Sequence, residues 1–323
     1  MYKKITYRAG NTLEVIKTYA RGMHPPGVRT QSTPRSREDI EKANRIQKTR
    51  KLNRILNANF KKGDMYYTLT YKRGWKHPET EEELLKEIGH HLRKLRDRLK
   101  RQGIELKYVY VYSMGKSGNN PHVHIIANIP YSSEEHQHTI RQLWIKPDAT
   151  LEHILGITEK EASLQEWTRK GELTVLRGFV KFKPMDENGN YMALAVYLIG
   201  HSYQRPPDGS EDEEKNGESD RDPDTAEQDN DEESIEEAVT RKRRKYKKAF
   251  EHSRNCVVPQ PKVEVIKAER FSEKVTPIKG YYIQPGSVYK GSDRSGWPYI
   301  RYTLIKIPVS PGKNAAFEKR GVG

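Results

Sequence analysis

Apolar and polar positions repeat with two different periods along this chain, and the changes of period mark its elements. The run DMYYTLTY, residues 64–71, alternates in a β-branched and aromatic composition that predicts a strand. Thr80 followed by Glu83 then forms a helix start, and Leu84, Ile88, Leu92, Leu95 and Leu99 recur at helical spacing until Gly103 stops the helix. Two more alternating runs, residues 105–114 and 121–129, are joined by GKSGNN and predict a hairpin. A helix capped by Ser132 with Glu135 carries Ile140, Leu143 and Trp144, and a second helical stretch runs from Thr158 to Gly171. The run LTVLRGFVKFKP predicts a strand, and a turn at DENGN leads into the apolar helix YMALAVYLIGH, residues 191–201.

Strand, helix, strand, strand, helices, strand, helix is the order of a split βαβ, ferredoxin-like fold of the α+β class. It implies an antiparallel sheet with helices on one face. A basic helix precedes this core, capped by Ser36 with Asp39 following and carrying Ile40, Ala43, Leu52, Ile55 and Leu56 among arginines and lysines. Its polar side suits phosphates, and a solvated helix packed on the core explains it equally well. Residues 280–308 read as short strands in which aromatic and basic residues interleave. That pattern suits stacking on single-stranded bases, and it also suits a small β-rich appendage with half-buried tyrosines.

Charge divides the chain further. Residues 208–237 hold 16 Asp and Glu against Lys215 and Arg221, so the overall charge of +15, with −14 in that stretch, leaves +29 elsewhere. The acidic stretch has almost no large apolar side chains and is expected to be a disordered linker. It is followed by RKRRKYKK, where Arg241, Lys242, Arg243 and Arg244 are candidate DNA contacts. The expected division is a basic N-terminal segment and helix at 1–60, a core at 61–205, the acidic linker at 206–238, and a basic block with a C-terminal β-rich region at 239–323. The longest mostly apolar run, residues 191–199, is less than half of the roughly 20 residues a spanning helix needs. No apolar stretch follows the lysines of the first residues, and Cys256 is the single cysteine, so the expected compartment is a reducing cytoplasm.

One motif suggests chemistry. In PHVHIIAN, His122 and His124 stand two apart on a strand and therefore share a face, as two nitrogen ligands for one divalent cation would. A second pair, His136 and His138, falls on a helix, where residues two apart diverge. Thr68 and Thr70 alternate with Leu69, so their hydroxyls share the opposite face and are candidates for a DNA-binding surface, although β propensity also accounts for them.

In order and spacing, YYTLTY, PHVHIIAN and AVYLIGH resemble the three ordered motifs of the HUH endonucleases, in particular the rolling-circle replication initiators of plasmids and phages. The stretches RAGNTLEV, KLNRILNANFKKGDMYYTLTY, RGFVKFKP and RRKYKKAFEHSRNCVVPQP are similar to one bacterial and phage branch, so the resemblance covers roughly residues 7–265. It implies a metal-dependent single-strand endonuclease and ligase that nicks an origin. Tyr197 would be the nucleophile that stays on the 5′ phosphate, and His122 and His124 would hold Mg²⁺ or Mn²⁺. The implied partners are single-stranded or hairpin origin DNA, with a host helicase and polymerase, since no nucleotide-binding Gly-rich loop appears.

The chain departs from the family pattern twice. The family's Tyr-x-x-Lys has Gly200 in place of lysine, and His201, one turn after Tyr197, is the candidate for a positioning role or a simple helix end. The acidic ligand that many relatives carry before the histidine pair is also missing. Ser113 stands near its position and Glu105 is the alternative, so the third ligand is open. These departures motivate a rival reading, a catalytically reduced DNA-binding protein acting as repressor or accessory factor. A relaxase or transposase of the superfamily is the other alternative.

Overall fold

The computed structural model describes residues 1–19, 36–72, 77–115, 118–144, 177–186, 190–202, 248–293 and 296–308. In chain order the elements begin with strands β1 (Tyr2–Ala9) and β2 (Thr12–Tyr19), helix α1 (Arg37–Asn59), strand β3 (Asp64–Thr70) and helix α2 (Glu81–Arg101). Strands β4 (Tyr108–Ser113) and β5 (His122–Pro130), helix α3 (Glu134–Leu143), strand β6 (Val180–Pro184) and helix α4 (Met192–Ser202) follow. The chain closes with β7 (Glu251–His252), β8 (Lys262–Ile266), β9 (Tyr281–Ile283), β10 (Tyr289–Ser292) and β11 (Pro298–Lys306).

One antiparallel sheet has the order β6-β3-β5-β4-β7, with the predicted hairpin at its centre. Thr80 caps α2 by accepting from the Glu83 amide at 3.2 Å, and its five expected apolar residues are all buried. Each contributes about 1.5–3 kcal/mol on leaving water. They pack on the sheet face formed by Met65, Tyr67, Leu69, Val123 and Ile125, where Trp144 also lies.

The opposite face is covered as well, which corrects the expectation of helices on one side. Leu52, Ile55 and Leu56 of α1 and Ala195, Leu198 and Ile199 of α4 pack there against Val109, Val111 and Ile126. The reason is legible in β5: HVHIIANI is apolar on both sides, as a strand covered by two layers must be. Within this layer α1 and α4 run antiparallel. Asn57 accepts from the Tyr191 amide at 3.3 Å at one end, and Arg45 meets Gly200 at the other.

A second sheet, β10-β11-β2-β1-β8 with β9 also on β11, joins the two ends of the chain. The sequence reading has only a basic segment before α1. In fact β1 and β2 form a hairpin, and β8 and β11 pair with its two strands, so structure crosses the expected boundary between 1–60 and 239–323. Gly10 makes the hairpin turn at a φ of 54°, and a Cβ there would stand 2.1 Å from the Asn57 carbonyl oxygen. Only glycine allows this approach to α1. The basic helix is therefore neither laid open along one side nor simply solvated, because its second half lies between two sheets. Its first half is open, with Ile40 and Ile46 exposed.

Two local expectations shift. Helix α3 is capped by Ser133 and not Ser132, since the Ser133 hydroxyl is the one that accepts from the His136 amide. The stretch from Thr158 to Gly171, the acidic residues 206–238 and the basic Arg241, Lys242, Arg243 and Arg244 lie outside the described residues. Among the described residues no helix is long and apolar enough to cross a membrane.

Candidate active site

The alternation of β5 puts His122 and His124 on the face that α4 covers. Across the ladders His124 stands opposite Thr68 and Val111, and His122 opposite Thr70 and Ser113. Helical spacing brings Tyr197 and His201 to the same side of α4, with ring centroids 4.4 Å apart. The His201 ring lies 4.9 Å from that of His124 and 5.5 Å from that of His122, and Tyr197 lies 5.6 Å from His124. His122, His124 and His201 each offer a ring nitrogen, all within 4.8 Å of one another.

Hydrogen bonds on the far sides of the rings orient these nitrogens. His122 Nδ1 lies 2.9 Å from the Asn120 carbonyl oxygen, which can only accept, so Nδ1 carries the proton and Nε2 presents its lone pair. His124 Nδ1 lies 2.7 Å from the Tyr66 hydroxyl and 3.1 Å from that of Thr68. His124 is 5% exposed, and its Nε2 is buried without a hydrogen-bond partner. A buried orphan nitrogen is costly unless something coordinates it. When Nδ1 donates to the hydroxyls, the Nε2 lone pair is free toward the cluster, the arrangement that metal-bound histidines adopt.

The electrostatics agree. Burial pushes the His124 imidazole down to about 3, with His122 and His201 nearby adding to the effect. Burial, then His122, also lowers His201. His122 Nε2 and His201 Nδ1 are 3.4 Å apart. Three neutral imidazoles aimed at one point are a set of lone pairs that fits a divalent cation.

Three tyrosines near α4 differ sharply in what they can do. Tyr197 is 49% exposed, so its hydroxyl is open to a substrate. Tyr191, at the start of the helix, is buried and pushed up to about 12 by burial, with Asp64 and Asp186 adding to it. Tyr66 is held against His124; burial raises its phenol far above the usual range, and the neighbouring Tyr197 raises it further. The sequence reading misses Tyr66, although the alternation that aligns Thr68 with the histidines puts Tyr66 on the same face.

The other sequence candidates separate clearly. Thr68 touches His124, whereas the Thr70 hydroxyl donates to the Phe179 carbonyl at 3.0 Å. Ser113 shares the histidine face, but its hydroxyl accepts from the Gly115 amide at 3.0 Å. Glu105 precedes the far end of β4, where its carboxylate accepts from Asn255 at 2.9 Å. His136 and His138 diverge as expected, one lying 3.1 Å from Gln102 Oε1 and the other 2.8 Å from Gln142 Nε2. At Gly200, a Cβ would stand 3.2 Å from the Arg45 Nη2, so α1 brings a guanidinium to the position where relatives carry lysine.

Residues 64–198 match the model of a family of replication-associated proteins, the one named for ORF2 and the gene II protein. The match takes in the whole core from β3 to Tyr197 and ends before His201. No curated protein and no solved structure matches the chain.

Proposed function

With residues 64–198 those of a Rep protein of this replication-associated family, a family of rolling-circle replication initiators, we propose that this chain nicks and rejoins single-stranded origin DNA through Tyr197. The observation that carries the reading is the convergence of His122, His124 and His201 beside the half-exposed Tyr197.

In this mechanism a phosphodiester lies between the histidine face of the sheet and α4. The Tyr197 oxygen forms a bond to phosphorus as the bond from phosphorus to the 3′ oxygen breaks. The phenolic proton passes to solvent through the open side, and the departing 3′ oxygen takes one up. No water is consumed, so the phosphotyrosine keeps the energy of the bond and reversal rejoins the strand. His122, His124 and His201 would hold the divalent cation, whose chemistry there is to polarise a phosphate oxygen and stabilise charge at the phosphorus. Three imidazoles suit Mn²⁺ better than Mg²⁺, which prefers oxygen ligands. Arg45, reaching Gly200 from α1, adds a fixed positive charge beside the nucleophile's helix.

The reading of a catalytically reduced binding protein rests on the missing lysine and the missing acidic ligand. The placement of Arg45 and His201 supports the enzyme instead. The test is an origin oligonucleotide, Mn²⁺ and a denaturing gel. Wild type is expected to carry the downstream fragment on its 5′ phosphate, and Tyr197→Phe to bind DNA without forming the adduct. An adduct that survives in Tyr197→Phe and vanishes in Tyr66→Phe would assign the nucleophile to Tyr66.

A further inference from the structure

The side of α1 turned away from the core holds an unbalanced cluster of charge. Arg54 donates from Nε to Glu14 Oε2 at 2.7 Å and lies 3.4 Å over the Tyr7 ring. Arg301, on β11, has its Nε 4.0 Å from the other Glu14 oxygen. Arg50 lies one turn before Arg54 and interacts with Arg301, Glu14, Tyr299 and Arg54. The registers explain the gathering: Glu14 pairs with Tyr7 on one side and Thr303 on the other, which puts Tyr7, Glu14 and Arg301 on the sheet face that meets α1.

Three guanidinium groups thus share one carboxylate in a largely buried place. At about 4 Å and an effective dielectric constant near 20, each like-charged pair costs about 4 kcal/mol. Burial, with Arg301 next, pulls Arg50 down to about 10, which still leaves it charged at neutral pH. Arginine does not escape such a place by losing its proton. In addition, Arg301 Nη1 is enclosed without a hydrogen-bond partner. A cluster with a surplus of fixed positive charge and an unused donor is completed by an anion.

The cover of this cluster indicates which anion. The Tyr289 ring lies 5.0 Å over the Arg301 guanidinium and 5.7 Å from the Tyr299 ring, yet Tyr289 is 48% exposed. It is an aromatic face at the rim of a buried cationic site, the pairing that a nucleotide uses through its base and its phosphate.

We propose that Arg50, Arg301 and Tyr289 form a second single-strand DNA site, distinct from the histidine cluster, in which a base stacks on Tyr289 while its backbone phosphate meets the two arginines. The Tyr289 ring moves outward with the base, and the phosphate takes the place it leaves above Arg301. Helix α1 then carries both DNA contacts, with Arg45 beside α4 and Arg50 at the second sheet. The choice of DNA as occupant rests on the replication reading.

The test measures binding of a fluorescein-labelled oligothymidylate to the full chain by anisotropy over a salt series. Arg50→Gln and Tyr289→Ala serve as the main variants, Arg301→Lys as a conservative third, and thermal melting checks the fold. Tyr289→Ala is expected to weaken binding about tenfold, in line with the loss of one stacked base. Arg50→Gln is expected to reduce the slope of log affinity against log salt by about 0.7, the loss of one phosphate contact. Unchanged affinity and slope in folded variants would overturn the proposal. A reduced slope with no effect of Tyr289→Ala would also overturn it, leaving an anion site that does not read a nucleotide. If wild type forms no Tyr197 adduct but these variants still lose affinity as stated, the nicking reading fails and this site stands.

Discussion

The guanidinium of Arg45 on α1 and the backbone of Gly200 on α4 are in direct apposition, so close that a Cβ on the glycine would stand 3.2 Å from Nη2. A side chain at 200 and an arginine at 45 compete for one place. The absence of a side chain at 200 is thus matched by a cation that arrives from another helix.

This apposition makes a compensation experiment possible. Arg45→Ala is expected to lower the nicking rate about tenfold or more, the usual scale for one charge-stabilising donor lying near 10²–10³. Gly200→Lys in the Arg45→Ala background should restore most of it, whereas Gly200→Lys alone should not improve on wild type. Single-turnover nicking rates at saturating DNA distinguish these outcomes, and an Arg45→Ala rate equal to wild type would remove the residue from the site.

Metal binding should depend on three histidines, not two. Titration calorimetry with Mn²⁺ is expected to show His201→Ala losing binding as fully as His122→Ala and His124→Ala, while His136→Ala and His138→Ala bind as wild type. Tyr66→Phe removes one of the two hydroxyls at His124 Nδ1 and should weaken binding about tenfold, the lower end of what outer partners contribute. Full Mn²⁺ affinity in His201→Ala would return His201 to the status of a helix end.

Two buried histidines predict an acid-sensitive fold. His91 is held down to about 4 by burial beneath Trp144 and Tyr67, and His124 to about 3. Unfolded, both take protons below about pH 6.5. The folded state binds fewer protons through that window, so stability is complete above pH 6.5 and falls as the pH drops toward 4. Thermal melts in the presence of a chelator at pH 7 and 4.5 should show this fall, and His91→Gln should reduce it by about 2 kcal/mol. An identical fall in His91→Gln would assign the acid sensitivity elsewhere.

The acidic residues 208–237 set a further expectation through charge alone. Deleting them removes a net −14 from a chain otherwise at +29 and should tighten non-specific DNA binding, most of all at low salt. Filter binding at two salt concentrations measures it, and equal affinities would make the stretch a spacer.

Much of the core is legible in the sequence because its signals are local. The leucine stripe of α2, the hairpin of β4 and β5 and the shared face of His122 and His124 follow from periods of 3.6 and 2 alone. The link between His201 and the histidine pair is not legible, since it depends on how α4 crosses the sheet. Helical spacing aligns His201 with Tyr197 but cannot say what stands opposite. The N-terminal hairpin carries a usable signal, Gly10 and Asn11 between two alternating runs, which the lysines around it obscure. Arg301 has no local signal, because its surplus charge exists only once β11 is set beside β2 and α1.

The pairing of strands from both ends has a consequence for the chain as a thread. Residues 203–247 separate two sets of strands that interlock: β7 is laid on β4, β8 on β1 and β11 on β2. Three ladders and the buried clusters around them therefore hold the later portion to the earlier one independently of the peptide bonds between. A protease cut within that interval would divide the polypeptide on a denaturing gel while leaving one particle in solution, and two separately expressed fragments would be expected to reassemble into it.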